Sequence, residues 1–337
     1  MSSLYFAVFF AFLPNPVRIA FYRLLGAKIG KRVKIGFGTV ILAKKIVIKD
    51  NSTIGYFCQI KVNTLFLGKY VSIGNFVKIS VHKIKLASRT IISHKVDIVG
   101  DTSDKRSVIK LGMHSWIFQY CFINVAREVS LGRNVGVGGG TYLFTHGYWL
   151  NNLDGFPVNY GPVSIEDNVW LPWGCFIMPG VKIGKNVIVG ARSVVNKDVA
   201  DNALVAGIPA KVIKEMSYRH VDFEEKTQII TETIQDFAER KNKKMDRKET
   251  NQKIIFSFDK MPTIILYKNI QNNISDLPQT ALNVFFDSVP RDTMECYPCF
   301  SLNDYLSSSV GIIPKTAIDW LEFARCIGLR FYAIDEI

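Results

Sequence analysis

The chain has 337 residues, of which 48% are hydrophobic and 21% charged, a composition typical of globular proteins and unlike that of disordered or collagen-like chains. Its formal net charge of +13 is uneven, because residues 1–100 carry 16 Lys and Arg against 2 Asp and Glu, whereas residues 221–337 carry 14 against 18. A basic first part attracts anionic partners such as phosphorylated cofactors, anionic lipids or nucleic acid, and it equally fits lysines that only serve solubility.

The amino-terminal segment, residues 1–28, is predicted to be an apolar and basic helical cap. Residues 4–13 form an almost unbroken apolar run that is well short of the roughly 20 residues needed to span a bilayer. No basic segment precedes this run, so a cleaved signal peptide is not expected. Residues 17–25 then have the spacing of a short helix, with Arg18 and Arg23 among apolar positions. This helix either covers the end of a hydrophobic core or lies in a membrane interface.

An aliphatic residue recurs every six positions between residues 29 and 195. Helices need apolar spacings of three or four residues and strands need two, so this period fits neither. It fits a chain that turns a corner every six residues and directs one aliphatic side chain inward from each of three faces. Glycines that directly follow many of these positions suit corners where a Cβ would be crowded or φ unusual. The positions form eight triplets: Ile29, Ile35, Ile41; Ile48, Ile54, Ile60; Leu67, Ile73, Ile79; Leu86, Ile92, Ile98; Leu111, Ile117, Ile123; Leu131, Val137, Leu143; Ile165, Leu171, Ile177; and Ile183, Val189, Val195.

Stacked coils of this kind pair as parallel strands at about 4.8 Å and bury their aliphatic residues only against neighbouring coils. Residues 29–217 are therefore predicted to form a parallel β-helix. Successive triplets start 18 to 20 residues apart except from 86 to 111 and from 131 to 165, where extra residues must leave the column as loops, the second between Leu143 and Ile165. The second loop contains His146 in the sequence Phe144–Trp149. A histidine in such a loop is usually a surface residue, although loops on a rigid scaffold are also where sites are built.

The most specific motifs lie in the last coils. They include Asn168–Trp170, Pro179–Val181, Gly190–Val195 and Ala206–Lys211, in that order. Together with the sixfold period, over residues 17–215, they resemble the hexapeptide-repeat acyltransferases, and within them the sugar O-acetyltransferases of the galactoside, maltose and exopolysaccharide types. The resemblance implies a mainly β fold, a left-handed parallel β-helix, assembled as a homotrimer with each coenzyme A groove between two copies.

The resemblance also implies roles for individual residues. His146 would be the general base, since a neutral imidazole is basic enough to take a proton from an acceptor hydroxyl. The backbone amide of Trp173 would stabilise the oxyanion. Residues implied to bind the co-substrate acetyl-CoA are Trp173, Ala191, Asn196, Lys197, Lys211 and Lys214. Residues expected to bind a carbohydrate acceptor are Gln119, Asn124, Tyr148, Trp149 and Trp170.

Two features of this site depart from the resemblance or stay open. The bulky Trp173 replaces a small residue beside the pantetheine channel, which favours acetyl over larger acyl groups. The partner that orients His146 is not evident from the sequence. Asp154 lies in the same loop, Glu166 and Asp167 begin the next coil, and a backbone carbonyl would serve equally well.

No metal site is expected. The six cysteines are too few and scattered for a disulfide framework, which favours a reducing compartment and structural thiols. The pair Cys296 and Cys299 has zinc-ligand spacing but no second pair near it. A three-histidine site of His82, His114 and His146, like that of trimeric carbonic anhydrases, is disfavoured by the wide spacing of its members.

The sixfold period stops near residue 218. Residues 218–250 are predicted to form a helix followed by a charged linker, and residues 251–337 a small carboxyl-terminal α/β domain of unknown role. The predicted function is that of a cytoplasmic, acetyl-CoA-dependent O-acetyltransferase acting on a sugar or polysaccharide precursor, with contact to an anionic membrane surface as a further hypothesis. Alternatives are an N-acetyltransferase of an amino sugar and a catalytically silent scaffold. Nucleic acid is not an expected partner.

Overall fold

The computed structural model describes residues 10–216, 221–250, 253–258, 261–267, 277, 281–285, 299–301, 306–307, 315–326 and 332–333. The chain divides into two compact units, Met1–Ser217 and Tyr218–Ile337, and each is described by itself. The first unit contains the sixfold repeat and the candidate site.

The helix Asn15–Leu24 covers the first coil of the repeat. Asn15 Oδ1 accepts a hydrogen bond from the backbone N–H of Ile35 at 2.8 Å, and the buried guanidinium of Arg18 donates to the carbonyls of Ile35 and Gly36. Side chains of the helix therefore satisfy backbone groups that the end of the β-helix would leave unpaired. This helix covers the core, which was the first of the two alternatives. Among the residues described, no helix combines the length and apolar character needed to cross a membrane.

Residues 28–207 form a parallel β-helix with three faces, numbered in the order in which the chain first reaches them. Faces 3 and 1 share three long strands, Val40–Ile48, Gln59–Leu67 and Lys78–Leu86. Face 1 also contains Lys28–Ile29, Val108–Leu111, Val129–Leu131, Val163–Ile165 and Lys182–Ile183. Face 2 contains Lys34–Ile35, Thr53–Ile54, Ser72–Ile73, Ile91–Ile92, Trp116–Ile117, Gly136–Val137, Trp170–Leu171, Ile188–Val189 and Ala203–Gly207. Face 3 continues with Asp97–Val99, Phe122–Asn124, Tyr142–Leu143, Phe176–Ile177 and Val194–Val195.

The coils stack in the register that the sequence predicts. Ile48, for example, pairs with Ile29 of the coil before it and with Leu67 of the coil after it. The same alignment continues along the column, and all of the predicted inward positions are buried. The predicted fold class, mainly β with a parallel β-helix, is therefore confirmed. The turns between faces 1 and 2, 2 and 3, and 3 and 1 are called the first, second and third corners.

Glycines that follow the inward positions prevent clashes between coils. A Cβ on Gly36 would lie 2.3 Å from the backbone of Gly55, and a Cβ on Gly112 would lie 2.5 Å from the backbone of Gly132. The positive φ angles of the corners occur at other residues, such as Asn134 with φ of 56°. The absence of a side chain, and not backbone conformation, is therefore what selects glycine at positions 36 and 112.

Both predicted loops leave the third corner, one between Val99 and Val108 and the other between Leu143 and Val163. The second loop contains an antiparallel pair of short strands, His146–Gly147 and Asn159–Tyr160, and the 3-10 turn Asn152–Asp154. Beyond the last coil, the strand Ala210–Glu215 pairs with Ala203–Gly207 in an antiparallel hairpin.

The second unit is a mixed sheet with two described helices. Its elements are the helix Phe223–Arg240, the strands Met245–Glu249, Lys253–Phe258, Met261–Tyr267, Leu282–Phe285, Cys299–Ser301 and Leu306–Ser307, the helix Lys315–Cys326 and the strand Tyr332–Ala333. Phe237, Phe256 and Trp320 are buried in its core. Residues 245–249, which the sequence assigned to a charged linker, are a strand paired with Lys253–Phe258. Pairing with an apolar strand overrides the polar composition of this segment.

Gly112→Ala is expected to destabilise the first unit, because the new Cβ would meet backbone of the next coil that cannot move independently. We expect a loss of about 1–3 kcal/mol in the free energy of unfolding, measured by chemical denaturation followed by circular dichroism. Gly147→Ala is the matched control, since a Cβ there meets nothing within 4 Å. Equal stability of the two variants would contradict the crowding argument.

Candidate active site

His146 lies where the second loop leaves the third corner. Its strand pairs antiparallel with Asn159–Tyr160, so that His146 stands opposite Tyr160. The preceding strand, Tyr142–Leu143, is paired on both sides within face 3. The imidazole is partly exposed. A rigid strand therefore holds a solvent-accessible histidine at the edge of the column.

Asn124, at the end of the strand one coil below, orients this imidazole. His146 Nδ1 lies 2.7 Å from Asn124 Oδ1. The same oxygen accepts hydrogen bonds from Thr145 Oγ1 at 3.0 Å and from the backbone N–H of Ala126 at 3.4 Å. Because a backbone N–H can only donate, the atom that faces His146 is the amide oxygen. Nδ1 therefore carries the proton, and Nε2 keeps the lone pair that a general base needs.

Two of the three acidic residues that the sequence offered as partners of His146 have other contacts, and the third, Asp154, is exposed. Asp167 binds Arg133, with 3.0 Å between Oδ2 and Nη2, and Glu166 lies 3.4 Å from a lysine of the next coil. Asn124, which the sequence assigned to acceptor binding, is the side chain that contacts the imidazole. An amide thus fixes the tautomer without adding a negative charge.

Tyr148 and Tyr160 flank the imidazole, with ring centroids 5.5 and 6.1 Å from that of His146. Their own rings are 5.6 Å apart, and hydrogen bonding between the protonated Tyr160 hydroxyl and the Tyr148 side chain is the main cause that raises the pKa of Tyr160. Phe144 adds a third ring at 6.4 Å. This aromatic surface next to His146 is suited to packing against the C–H faces of a sugar ring.

The two tryptophans that were predicted to bind the acceptor, Trp149 and Trp170, do not pack into that surface. Trp149 is 93% exposed. Trp170 lies on face 2, where its ring meets that of Phe118 edge to face at 6.2 Å and covers Gly136. Within one chain, the structure does not bring Trp170 to His146.

A charged cluster that sequence reasoning missed lies beside Tyr160. The guanidinium of Arg127 is 4.0 Å from the centroid of the Tyr160 ring. Asp104, in the first loop, accepts a hydrogen bond from Arg106 Nη2 at 2.8 Å, and this bond is the main cause that lowers the pKa of Asp104 to about 2. The sequence contained one signal that could have indicated this cluster. The triplet register already placed both loops at the same corner.

Three predicted binding residues occupy equivalent positions at the second corner. Gln119, Trp173 and Ala191 each precede a residue with positive φ, in different coils. The indole of Trp173 lies over Gly139, where a Cβ would come within 2.6 Å of the ring. The second corner therefore combines two residues implied to bind coenzyme A with one residue expected to bind the acceptor.

Trp173 and His146 lie at opposite ends of face 3. The strands Tyr142–Leu143 and Phe176–Ile177 pair with each other on this face. Trp173 precedes the second of these strands, whereas His146 follows the first. About six residues of extended chain separate the second corner, with Trp173, from the third corner, with His146. This corresponds to a distance of roughly 20 Å. One chain therefore does not bring the predicted oxyanion donor to the predicted base.

The remaining residues predicted to bind coenzyme A lie in two separate places on the β-helix. Asn196 and Lys197 follow the strand Val194–Val195 at the third corner, two coils above His146. Lys211 and Lys214 lie on the closing hairpin of face 2. All four side chains are exposed, and the three lysines are accessible to an anionic ligand.

Among the residues that the structure describes, no three His, Cys, Asp or Glu side chains are grouped to hold a metal ion. His82 Nδ1 lies 2.8 Å from Asn63 Nδ2, in a coil well below His146, whereas His114 lies at the first corner. The three histidines of the alternative metal site are thus kept apart by the fold.

The described cysteines of the first unit, Cys58, Cys121 and Cys175, are free and buried. Burial raises the pKa of the Cys121 thiol to about 11, which opposes a role as a nucleophile. Cys296, one member of the predicted zinc-type pair, lies outside the described residues.

Residues 162–197 match the family described as bacterial transferase hexapeptide (six repeats). The chain is 47% identical over 55 residues to a galactoside O-acetyltransferase of Lactococcus lactis, covering 16% of this chain and 27% of that protein. It is 33% identical over 107 residues to an Escherichia coli protein named as the colanic acid biosynthesis acetyltransferase WcaF, covering 32% and 58%. A hexapeptide-repeat acetyltransferase of Vibrio cholerae solved with acetyl coenzyme A is 28% identical, with 38% and 72% covered and a TM-score of 0.32.

These comparisons confirm the resemblance to the hexapeptide-repeat acyltransferases that the sequence motifs predicted. The matched segment includes the motifs from Asn168 to Val195 and excludes both the motif Ala206–Lys211 and the loop that contains His146. The chain spans less than two thirds of the length of the curated relatives named above.

The contact with Asn124 predicts that neutral His146 is the Nδ1–H tautomer. Selective 15N labelling of the five histidines and long-range 15N–1H correlation spectra can identify it, with His146→Ala assigning the signal. Asn124→Ala removes the acceptor and is expected to give a mixture with the Nε2–H tautomer. A wild-type Nε2–H tautomer, or a spectrum unchanged by Asn124→Ala, would show that this contact does not orient the ring.

Proposed function

We propose that the protein is an acetyl-CoA-dependent O-acetyltransferase that acts on a hydroxyl of a sugar or polysaccharide precursor. The observation that carries the proposal is the His146–Asn124 contact, which leaves Nε2 free as a base beside an aromatic surface. The relatives named as galactoside and colanic acid acetyltransferases support both the acetyl donor and the carbohydrate acceptor.

In this proposal, His146 Nε2 takes the proton of the acceptor hydroxyl as the hydroxyl oxygen attacks the acetyl carbonyl carbon. Acetyl-CoA supplies that carbonyl as a thioester. A backbone N–H at Trp173 donates to the carbonyl oxygen while it carries negative charge. The carbon–sulfur bond then breaks, and His146 returns its proton to the leaving sulfur. Exposed Lys197, Lys211 and Lys214 fit the phosphates of the donor.

A complete site in this proposal requires a second copy of the chain, because His146 and Trp173 lie at different corners. The third corner of one copy would face the second corner of the next. Three copies placed head to tail in this way close a ring, which is the homotrimer that the resemblance implies.

We further propose that the helix end of the column contacts an anionic membrane. Leu24 and Leu25 are 86% and 68% exposed there, and a groove of about 300 Å³ lies between the helix and the strand Val40–Ile48. The charge of residues 1–100 has the sign that attracts anionic headgroups.

His146→Ala is expected to lower kcat for acetyl transfer by about 10²- to 10⁴-fold, because proton removal loses its base, with little change in acetyl-CoA affinity. Thiol release and product mass can be followed with a panel of sugars. His94→Asn is the matched control: His94 Nδ1 accepts from the backbone N–H of Asn75, and an asparagine oxygen can do the same. A His146→Ala enzyme with a near-normal rate would refute the assignment.

His146→Ala also tests whether the site is formed by two copies of the chain. Each homomeric preparation of His146→Ala and of Lys211→Glu with Lys214→Glu should be inactive. When the two chains are co-assembled at random, about a quarter of the interchain sites would carry both intact halves, so activity should return. No recovery in verified mixed assemblies would place the whole site within one chain.

Flotation with vesicles tests the membrane contact. The protein is expected to float with vesicles that contain anionic lipid and to stay with the soluble fraction when the lipid is neutral. Leu24→Glu with Leu25→Glu should abolish flotation, whereas Ile208→Glu, at a residue 75% exposed on the closing hairpin, should not. Flotation that ignores lipid charge, or that survives the double change, would contradict this proposal.

A further inference from the structure

Arg127 is a partly buried arginine in the turn between the two loops. Its side chain is 22% exposed. One guanidinium nitrogen, Nη1, donates to the carbonyl of Ala126 at 2.7 Å, and the guanidinium plane faces the Tyr160 ring. These contacts hold the guanidinium in one place, which is a condition for recognising a ligand with defined geometry.

Among the residues that the structure describes, the carboxylate within ion-pair distance of Arg127 is that of Asp104, which another arginine binds more closely. Asp104 lies 3.9 Å from Arg127 Nη1, but it is bound more closely by Arg106, at 2.8 Å from Nη2 and at 3.0 and 3.1 Å from Nε. Glu128 is bound by Lys110 at 2.8 Å. Holding a guanidinium partly out of water with its carboxylate partner as far as 3.9 Å away costs free energy that a more closely bound anion would offset.

Arg127 is also close to the proposed base. Its guanidinium lies 4.0 Å from the centroid of the Tyr160 ring, and the same centroid lies 6.1 Å from that of His146. The guanidinium is thus no farther from the imidazole than these two distances together, which is about the reach of one sugar ring and a substituent. An anion bound by Arg127 would therefore sit on the ring whose hydroxyl meets His146, or on the next ring.

We propose that the acceptor is an acidic sugar whose carboxylate or phosphate binds Arg127. The inference rests on the proposed acetyl transfer and adds the charge of its acceptor. Arginine suits this task because its fork of N–H donors matches two oxygens of one anion. The lysine-rich first part of the chain, with 16 cations against 2 anions in residues 1–100, would also draw such an acceptor toward the protein.

The test compares acidic and neutral acceptors of the same sugar: methyl glucuronide against methyl glucoside, methyl galacturonide against methyl galactoside, and glucose 6-phosphate against glucose. Wild-type protein is expected to prefer the acidic member of at least one pair. Arg127→Gln should lower kcat/KM for that member by about 10- to 100-fold and leave the neutral member unchanged. The uronides and the phosphate distinguish a carboxylate from a phosphate.

Arg133→Gln is the matched control, because Arg133 is an exposed arginine whose partner is Asp167, away from His146. Saturation-transfer NMR of the same sugars, without acetyl-CoA, gives a second measurement that does not depend on turnover. Equal loss for acidic and neutral acceptors would mean that Arg127 only supports the loop, and equal binding to wild type and Arg127→Gln would overturn the proposal. Acidic sugars that bind through Arg127 but accept no acetyl group would instead refute the proposed function.

Discussion

One aliphatic side chain directed inward at every sixth residue is the constraint on which the first unit depends. A single coil cannot bury its three inward residues, so each coil is stable only against its neighbours, and the strands must pair in register. In-register stacking assigns each residue of the repeat to a column on one face or corner. Position in the sixfold period therefore determines which repeat residues meet, as when Asn75 and His94, 19 residues apart in the chain, form a hydrogen bond.

This constraint also determines where extra residues can go. A column of paired strands admits insertions only at corners, and both insertions of this chain leave the third corner. Two loops that leave the same corner in nearby coils both come close to the residues of the turn between them. In this way Asp104 comes within 3.9 Å of Arg127, Arg127 lies over the ring of Tyr160, and Tyr160 lies beside His146. The candidate site is a consequence of the stacking and not an addition to it.

The period was readable from the sequence because burial imposes it, and it correctly predicted the coils, the inward residues and the positions of the two loops. The partner of His146 was not readable. Asn124 lies 22 residues earlier, beyond a corner, and its contact depends on side-chain direction and loop path. The position of Arg127 over the Tyr160 ring was hidden for the same reason. In the second unit, the polar residues 245–249 form a strand because of pairing that composition does not reveal.

The division of the predicted site between two corners has a physical logic of its own. Within one rigid column, a base and an oxyanion donor at opposite ends of face 3 cannot approach each other, since paired strands do not shorten. A site built between two columns needs no such movement, because the relative placement of the columns is set by their interface. Proton transfer would then depend on assembly, and a lone chain would hold a correctly oriented imidazole with no thioester in reach. The Asn124 contact, which lies wholly within one chain, would persist in that state.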